Sequence, residues 1–250
     1  MAKMTGRRGE HVLAWVALAS LAASAVMSLV VSPPDASQGQ LVRLMYIHVP
    51  AAWLAYLAFG VVFVASIAYL TTKKTRWDRV AAASAEVGVL FTALAIVLGS
   101  LWGKPVWGTY WTWDPRLTTT AILLLIYVGY LAVRRLPDSP ARRARWAAVV
   151  GIVGFADVPI VQLSVVWWRG LHQGATIRLL AKPTISPLML AALLTGVAAF
   201  TITYVYLMTL RLRVGRLEER ARAEALSPRV GQPVETLLSE GAVGEVPARG

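Results

Sequence analysis

Apolar residues along this chain neither alternate with polar ones, as in a half-buried strand, nor recur as a narrow stripe along one helix face. They run in six nearly unbroken blocks, at residues 12–31, 51–72, 81–102, 118–133, 146–168 and 185–210. A bilayer core about 30 Å thick needs about 20 apolar residues in a helix, whereas a membrane barrel strand would show two-residue alternation. The pattern therefore predicts an all-α membrane protein with six transmembrane helices. The first block follows Arg7 and Arg8 as a signal sequence would. Signal cores are only about 7–15 residues long, so this block reads as a retained anchor. The domain reading is then residues 1–11 as an N-terminal segment, 12–212 as the membrane domain and 213–250 as a polar tail. Within the tail, 213–225 has the makeup of a short polar helix. From Ser227 onward it is rich in Gly, Pro and Glu, and reads as disordered.

Composition agrees with that picture and orients it. The chain is 57% hydrophobic and 15% charged, against about 25% charged in soluble domains. Its net charge of +12 has the sign expected for nucleic-acid binding, but the placement of the cations gives a different account. Arg43, Lys104, Arg116, Arg169, Arg178 and Lys182 fall on one side of the predicted spans, and the other 19 of the 25 Lys and Arg fall on the opposite side. Basic loops stay cytoplasmic, so both termini are expected in the cytoplasm. Three outer loops, at 32–50, 103–117 and 169–184, are expected to face the periplasm or its equivalent. The absence of cysteine excludes disulfides, Cys-ligated zinc or iron–sulfur sites, and covalent haem attachment through C-x-x-C-H.

The outer loops carry the unusual chemistry. Seven of the ten Trp lie in or beside them: Trp53, Trp102, Trp107, Trp111, Trp113, Trp167 and Trp168. An interfacial aromatic belt suits Trp53, Trp167 and Trp168, which stand at span ends. It suits the segment WGKPVWGTYWTWDPRLT, residues 102–118, poorly. Four Trp and Tyr110 fall within twelve residues there, broken by Gly103, Pro105, Gly108 and Pro115. So much exposed aromatic surface points to a platform for a flat or apolar ligand.

Histidine is scarce, so its placement is informative. His11 is expected at the cytoplasmic interface. His48, in MYIHVP, and His172, in WWRGLHQG, belong to two different outer loops that flank the aromatic segment. They are either two solvated loop histidines or a pair sharing one ligand. With no Cys, no outer Glu and only Asp35 and Asp114 nearby, a zinc site is a poor match. Two imidazoles would suit the axial positions of a haem iron. Asp114 before Pro115 reads as the N-cap of the fourth span or as a ligand-facing group. Arg116 would pair with Asp114 or with a haem propionate.

These residues resemble a known family. WGTYWTWDPRLT, residues 107–118, is similar to the WWD signature WGxxWxWDxRLT of haem-handling membrane proteins. With MYIHVPAAW and SVVWWRGLHQG, and over residues 40–210, the chain resembles the CcmC family of cytochrome c maturation proteins. The resemblance implies haem b bound non-covalently and transiently at the outer face of the bacterial inner membrane. His48 and His172 would be its axial ligands, and the segment containing Trp107, Tyr110, Trp111, Trp113, Asp114 and Arg116 would pack on its edge. It further implies presentation of haem for covalent attachment to a periplasmic chaperone, CcmE, beside the ATP-binding cassette subunits CcmA and CcmB and the small membrane subunit CcmD. Such a protein is a platform rather than a conventional enzyme. Many family members have Trp where this chain has Tyr110, and Tyr keeps a flat amphipathic ring.

Two carboxylates fall inside predicted spans, where charge is costly and commonly functional. Glu86 lies near the cytoplasmic end of the third and is expected to reach the interface. Asp157 lies deep in the fifth, before Pro159, and is expected to be neutral and hydrogen-bonded, with a haem-entry or proton role as the alternative. The run GSLWGKP at 99–105 has the outline of a phosphate loop, but its spacing is short and Pro105 replaces the required Ser or Thr. The chain thus supplies no ATPase motif. The rival readings are a subunit that itself translocates haem, an electron-transfer cytochrome b, and a structural membrane subunit.

Overall fold

A computed structural model describes residues 2–136, 138–168, 170–172, 174 and 183–226. The regular elements among them are helices. α1 spans Ala2–Val26 and passes into a π-turn at Met27–Val31. A 3-10 turn, Gln40–Leu44, leads into α2, Met45–Thr72. Then follow α3, Thr75–Trp107; α4, Pro115–Val133; α5, Pro140–Phe155; α6, Asp157–Trp167; and α7, Pro187–Leu226. Six stretches are long and apolar enough to cross a membrane, with α5 and α6 together making one of them. This is a multi-pass membrane protein.

The two compact units of the chain divide after Leu212, and the contacts described below belong to the first. In the second, residues 213–226 are helical and form the end of α7 rather than a separate short helix. The reading of 227–250 as disordered lies outside the described residues, as do Arg169, Arg178 and Lys182 of the expected outer cations.

The helices outrun the apolar blocks at the end that carries His48 and the Trp-rich segment. The second and third spans are each 33 residues long, about 50 Å at a rise of about 1.5 Å per residue. That exceeds a hydrocarbon core of about 30 Å. Helix therefore continues where the sequence turns polar and aromatic. His48 and Pro50, expected in a loop, sit in the opening turns of α2, and Trp102 and Trp107 sit on α3. The Trp-rich loop shrinks to residues 108–114. Gly108 ends α3 at φ 78°, its N–H donating to the Lys104 carbonyl, a left-handed cap that glycine adopts without strain. The fifth span is broken at Ala156, between α5 and α6. Pro159 has no N–H for the Phe155 carbonyl one turn earlier, so the helix cannot run through unperturbed.

In lipid the hydrophobic effect does not drive helix against helix, so close packing and polar pairs must hold the bundle. α2 is its centre. Phe59, Val62 and Ala55 pack with Leu123, Tyr127, Val158 and Val161, and Leu54 and Ala58 pack with Val87, Phe91, Tyr204 and Met208. The Phe59 and Tyr127 rings stack at 3.7 Å. Ser84 Oγ donates to the Ala58 carbonyl at 2.7 Å and pairs with the Tyr204 hydroxyl at 2.7 Å. Arg134 ties the C-terminal end of α4 to the start of α3 with two bonds to Asp78, at 2.5 and 2.8 Å. Glu86 is paired by Arg211, including an Nη2–Oε1 bond of 2.8 Å, so its charge is compensated where it lies. Asp157 differs from the expected bonded carboxyl: it is buried, and its Oδ2 has no hydrogen-bond partner among the described residues.

A Cβ at Gly88 would lie 2.5 Å from Phe59 Cε1, and Phe59 is fully buried against Tyr127 and cannot swing away. Gly88→Val is expected to destabilise the bundle by about 1–3 kcal/mol, the usual cost of overpacking. Thermal unfolding in detergent reads this directly, and an unchanged midpoint would show that α2 and α3 are not tightly seated.

Candidate functional site

A cavity of about 480 Å³ opens among α2, α3, α4 and α6 at their ends nearest the Trp-rich segment, with the segment after α6 and Leu193 of α7 completing the lining; it lies within the usual range of ligand pockets of about 300–1,000 Å³. One wall is a face of α3. Ala95, Gly99, Gly103 and Trp107 recur every four residues and all line it, as a helix stripe must. The small residues keep that wall low and let imidazole and indole rings lie close. A Cβ at Gly99 would meet His48 Cε1 at 2.9 Å, and one at Gly103 would meet Trp107 Cε3 at 2.9 Å.

His48 reaches the cavity from the first turn of α2. Its Nδ1 lies 3.0 Å from the Ala95 carbonyl. A carbonyl only accepts, so Nδ1 carries the proton and Nε2 keeps a free lone pair. The Trp102 ring meets the imidazole edge-on at 5.8 Å.

His172 enters from the opposite side, on the irregular segment that follows α6. Its Nδ1 lies 2.9 Å from Asp114 Oδ1, and Trp107 packs edge-on against the ring at 4.8 Å. Donation to a carboxylate fixes the same tautomer, again leaving Nε2 free. Asp114 is buried, and it accepts the N–H of Arg116 at 2.9 Å and the N–H of Leu171 at 2.7 Å. It is therefore both the N-cap of α4 and the anchor of the His172 segment. Burial raises the Asp114 carboxyl, but the Leu171 N–H, the His172 ring and the Arg116 N–H together hold it below its ordinary value. Burial lowers the His172 imidazole in spite of the Asp114 charge. At neutral pH the pair is a carboxylate with a neutral imidazole.

Arg116 lines the cavity, and its guanidinium donates to Gln162 Oε1 at 3.2 Å. Among the described residues no carboxylate lies within ion-pair distance of it. It thus presents a positive charge to whatever the cavity holds.

The predicted site residues separate into two groups. His48, His172, Trp107 and Arg116 share the cavity, with Asp114 directly behind His172. Tyr110, Trp111 and Trp113 are outside its lining. Trp113 is 82% exposed and Tyr110 57%; Trp111 and Trp113 meet edge-on at 5.8 Å, and Lys104 Nζ lies 5.2 Å from the Tyr110 ring. The aromatic segment is thus divided between a wall, Trp102 and Trp107, and an outward face.

Residues 2–227 match the model of the family described as heme exporter protein C, CcmC. The chain belongs to the CcmC family. It is 42% identical to a heme exporter protein C of Bradyrhizobium diazoefficiens over 85% of this chain and 82% of the relative. It is 35% identical to a heme exporter protein C of Escherichia coli, over 80% of this chain and 81% of the relative. A putative cytochrome c biosynthesis ccmC-like mitochondrial protein of Arabidopsis thaliana is 34% identical, over 90% and 85%. The CcmC match takes in every residue of the cavity.

Reading the sequence alone overlooked Gln38, Tyr56 and Gln162 in the cavity lining, the Ala95 carbonyl and Gly170. The four-residue spacing of Ala95, Gly99 and Gly103 was the available signal for the α3 wall. A Cβ at Gly170 would lie 2.1 Å from Asp114 Oδ2, so Gly170→Ala cannot keep the segment docked. The modification of His172 by diethylpyrocarbonate, followed by mass spectrometry, is expected to speed up in that variant while His48 is unaffected. Equal rates would mean that the segment absorbs the methyl group without leaving Asp114.

Proposed function

We propose that the protein holds haem in this cavity at the outer face of the bacterial inner membrane and presents it for covalent attachment to the periplasmic chaperone CcmE during c-type cytochrome maturation. The observation that carries this reading is the pair of histidines. They come from separate segments, line one cavity, and each has Nδ1 engaged by an acceptor so that Nε2 is free to bind iron. Membership of the CcmC family supports haem as the cargo, as do the names of the curated relatives.

The chemistry of the residues fits that cargo. His48 and His172 would hold the haem iron through Nε2, supplying the two imidazole ligands that a haem iron accepts. The apolar α3 wall and Trp107 take the macrocycle face, and Arg116 offers its fork to a propionate. Trp111, Trp113 and Tyr110, on the outward side, form the surface against which a projecting haem edge and the incoming chaperone pack. Binding is non-covalent and transient, since the cargo must leave. With no ATPase motif in the chain, energy for release comes from the ATP-binding cassette subunits CcmA and CcmB, with CcmD as a further membrane partner.

A second reading, a subunit that itself translocates haem, rests on the break at Ala156 and the unpartnered oxygen of buried Asp157. Irregular backbone and a carboxylate at membrane depth occur where a pathway runs.

The test is the absorption spectrum of the full chain purified with co-expressed CcmE. His48→Ala and His172→Ala are each expected to lose the six-coordinate spectrum of wild type. Asp114→Ala, which keeps both histidines in the chain but frees the His172 segment from its anchor, is expected to retain haem about 10–100-fold less well, the usual effect of removing a ligand's orienting partner. Wild-type spectra in both histidine variants would sink the axial assignment. Haem esterified at its propionates should bind about tenfold more weakly to wild type than free haem, and Arg116→Gln should abolish that difference. A difference that survives the substitution would remove Arg116 from cargo recognition.

A further inference from the structure

His48 is secured at one atom by the Ala95 carbonyl, and one hydrogen bond fixes a point on an imidazole, not its plane. The plane is set by what lies against the ring: the Gly99 backbone of α3, where a Cβ would meet His48 Cε1 at 2.9 Å, and Trp102, edge-on at 5.8 Å and 74°; of these the indole is the side chain that must itself be held. An indole at the end of a helix could itself rotate. Here its N–H is held: Trp102 Nε1 donates to Gln38 Oε1 at 2.8 Å. Because an indole nitrogen only donates, this bond also fixes which way the Gln38 amide faces.

Gln38 is not a loose surface side chain. Asp35 Oδ1 accepts the N–H of Ser37 at 2.8 Å, the Ser37 hydroxyl at 2.7 Å and the N–H of Gln38 at 2.9 Å. Asp35 and Gly39 exchange both backbone hydrogen bonds, at 3.1 and 2.9 Å. The turn closes through Gly39 at φ 55°, in the left-handed region, which glycine enters without strain. The first outer loop is thus a closed turn that points one amide at the indole on α3. Gln38, Trp102 and His48 all line the cavity.

We propose that Gln38 is a positioning residue for His48, acting through Trp102, so that the first outer loop and the ligand on α2 move as one unit. The proposal rests on His48 being an axial ligand. Gln38 need not touch iron or haem. It holds the indole, and the indole, with the Gly99 backbone, sets the imidazole plane. Loss of the Nε1–Oε1 bond leaves both rings in the cavity but frees their orientation.

The experiment uses the full chain with bound haem and reads haem retention together with the ferric low-spin electron paramagnetic resonance signal, whose g values depend on the relative planes of the two axial imidazoles. Gln38→Leu removes the acceptor, and Trp102→Phe removes the donor while keeping an aromatic ring. Both are expected to shift the g values in the same direction and to lower retention about tenfold, the lower end of what orienting partners contribute. The double variant should be no worse than either single one, because both remove the same bond. Gln38→Glu keeps an acceptor and should restore the wild-type signal. Wild-type g values in Gln38→Leu and Trp102→Phe, or losses that add in the double variant, would overturn the proposal. His48→Ala, run alongside, separates the two layers. If it keeps the wild-type signal, the axial assignment fails and the positioning role falls with it. If it loses the signal while Gln38→Leu does not, the positioning role alone fails. Thermal unfolding of each variant without haem identifies any loss that comes from misfolding.

Discussion

The cavity site depends on one buried carboxylate. Asp114 starts α4, ties down the backbone at Leu171 and orients the His172 ring. A carboxylate removed from water is costly unless its lone pairs are filled, and here three N–H groups fill them. The arrangement makes two elements far apart in sequence mutually dependent. α4 begins where it does because Asp114 caps it, and the segment after α6 has its shape because the same two oxygens are already placed. Gly170 shows how little room this leaves, since even a methyl group there would collide with Oδ2.

The two histidines are held by different means. His48 belongs to a helix and leans on a backbone carbonyl, which no side-chain substitution can remove. His172 belongs to an irregular segment and depends on a single side chain. Both arrangements give the same tautomer. In the proposed haem complex, Nε2 of each ring would be directed by groups that never contact the iron. The small-residue face of α3 serves both, placing Ala95 and Gly99 at His48, and Gly103 and Trp107 toward His172.

Much of this was legible in the sequence, for reasons that also mark the limit. Apolar length reports membrane spans directly, and six were readable. Helix ends were not, because hydropathy marks where the bilayer stops, while the backbone of α2 and α3 stays helical beyond it. Asp114 was readable as a cap from Asp-Pro. Its bonds to His172 and Leu171 were not, since nothing local encodes a contact between residues so distant in the chain. His48 and His172 stood out because histidine is scarce. Gln38 did not, because a glutamine in a polar loop carries no signal until the indole opposite it is known. The aromatic segment read as one surface, and the fold divides it at the Gly108 cap into a wall and an outward face.

The cavity wall draws on α2, α3, α4, α6, the residues just after α6 and Leu193 of α7, so it is complete only when the sixth span is in place. A chain inserted only through α4 has one of the two cavity histidines, an open groove and no Asp114–His172 contact. Under the haem-binding reading, affinity for the cargo is therefore a measure of completed assembly. Any ligand bound only by the finished bundle stabilises it by an amount that grows with the logarithm of ligand concentration over Kd, so loading would favour finished molecules over unfinished ones, and haem, a reactive cargo, would be kept off incomplete chains without a separate inspection step.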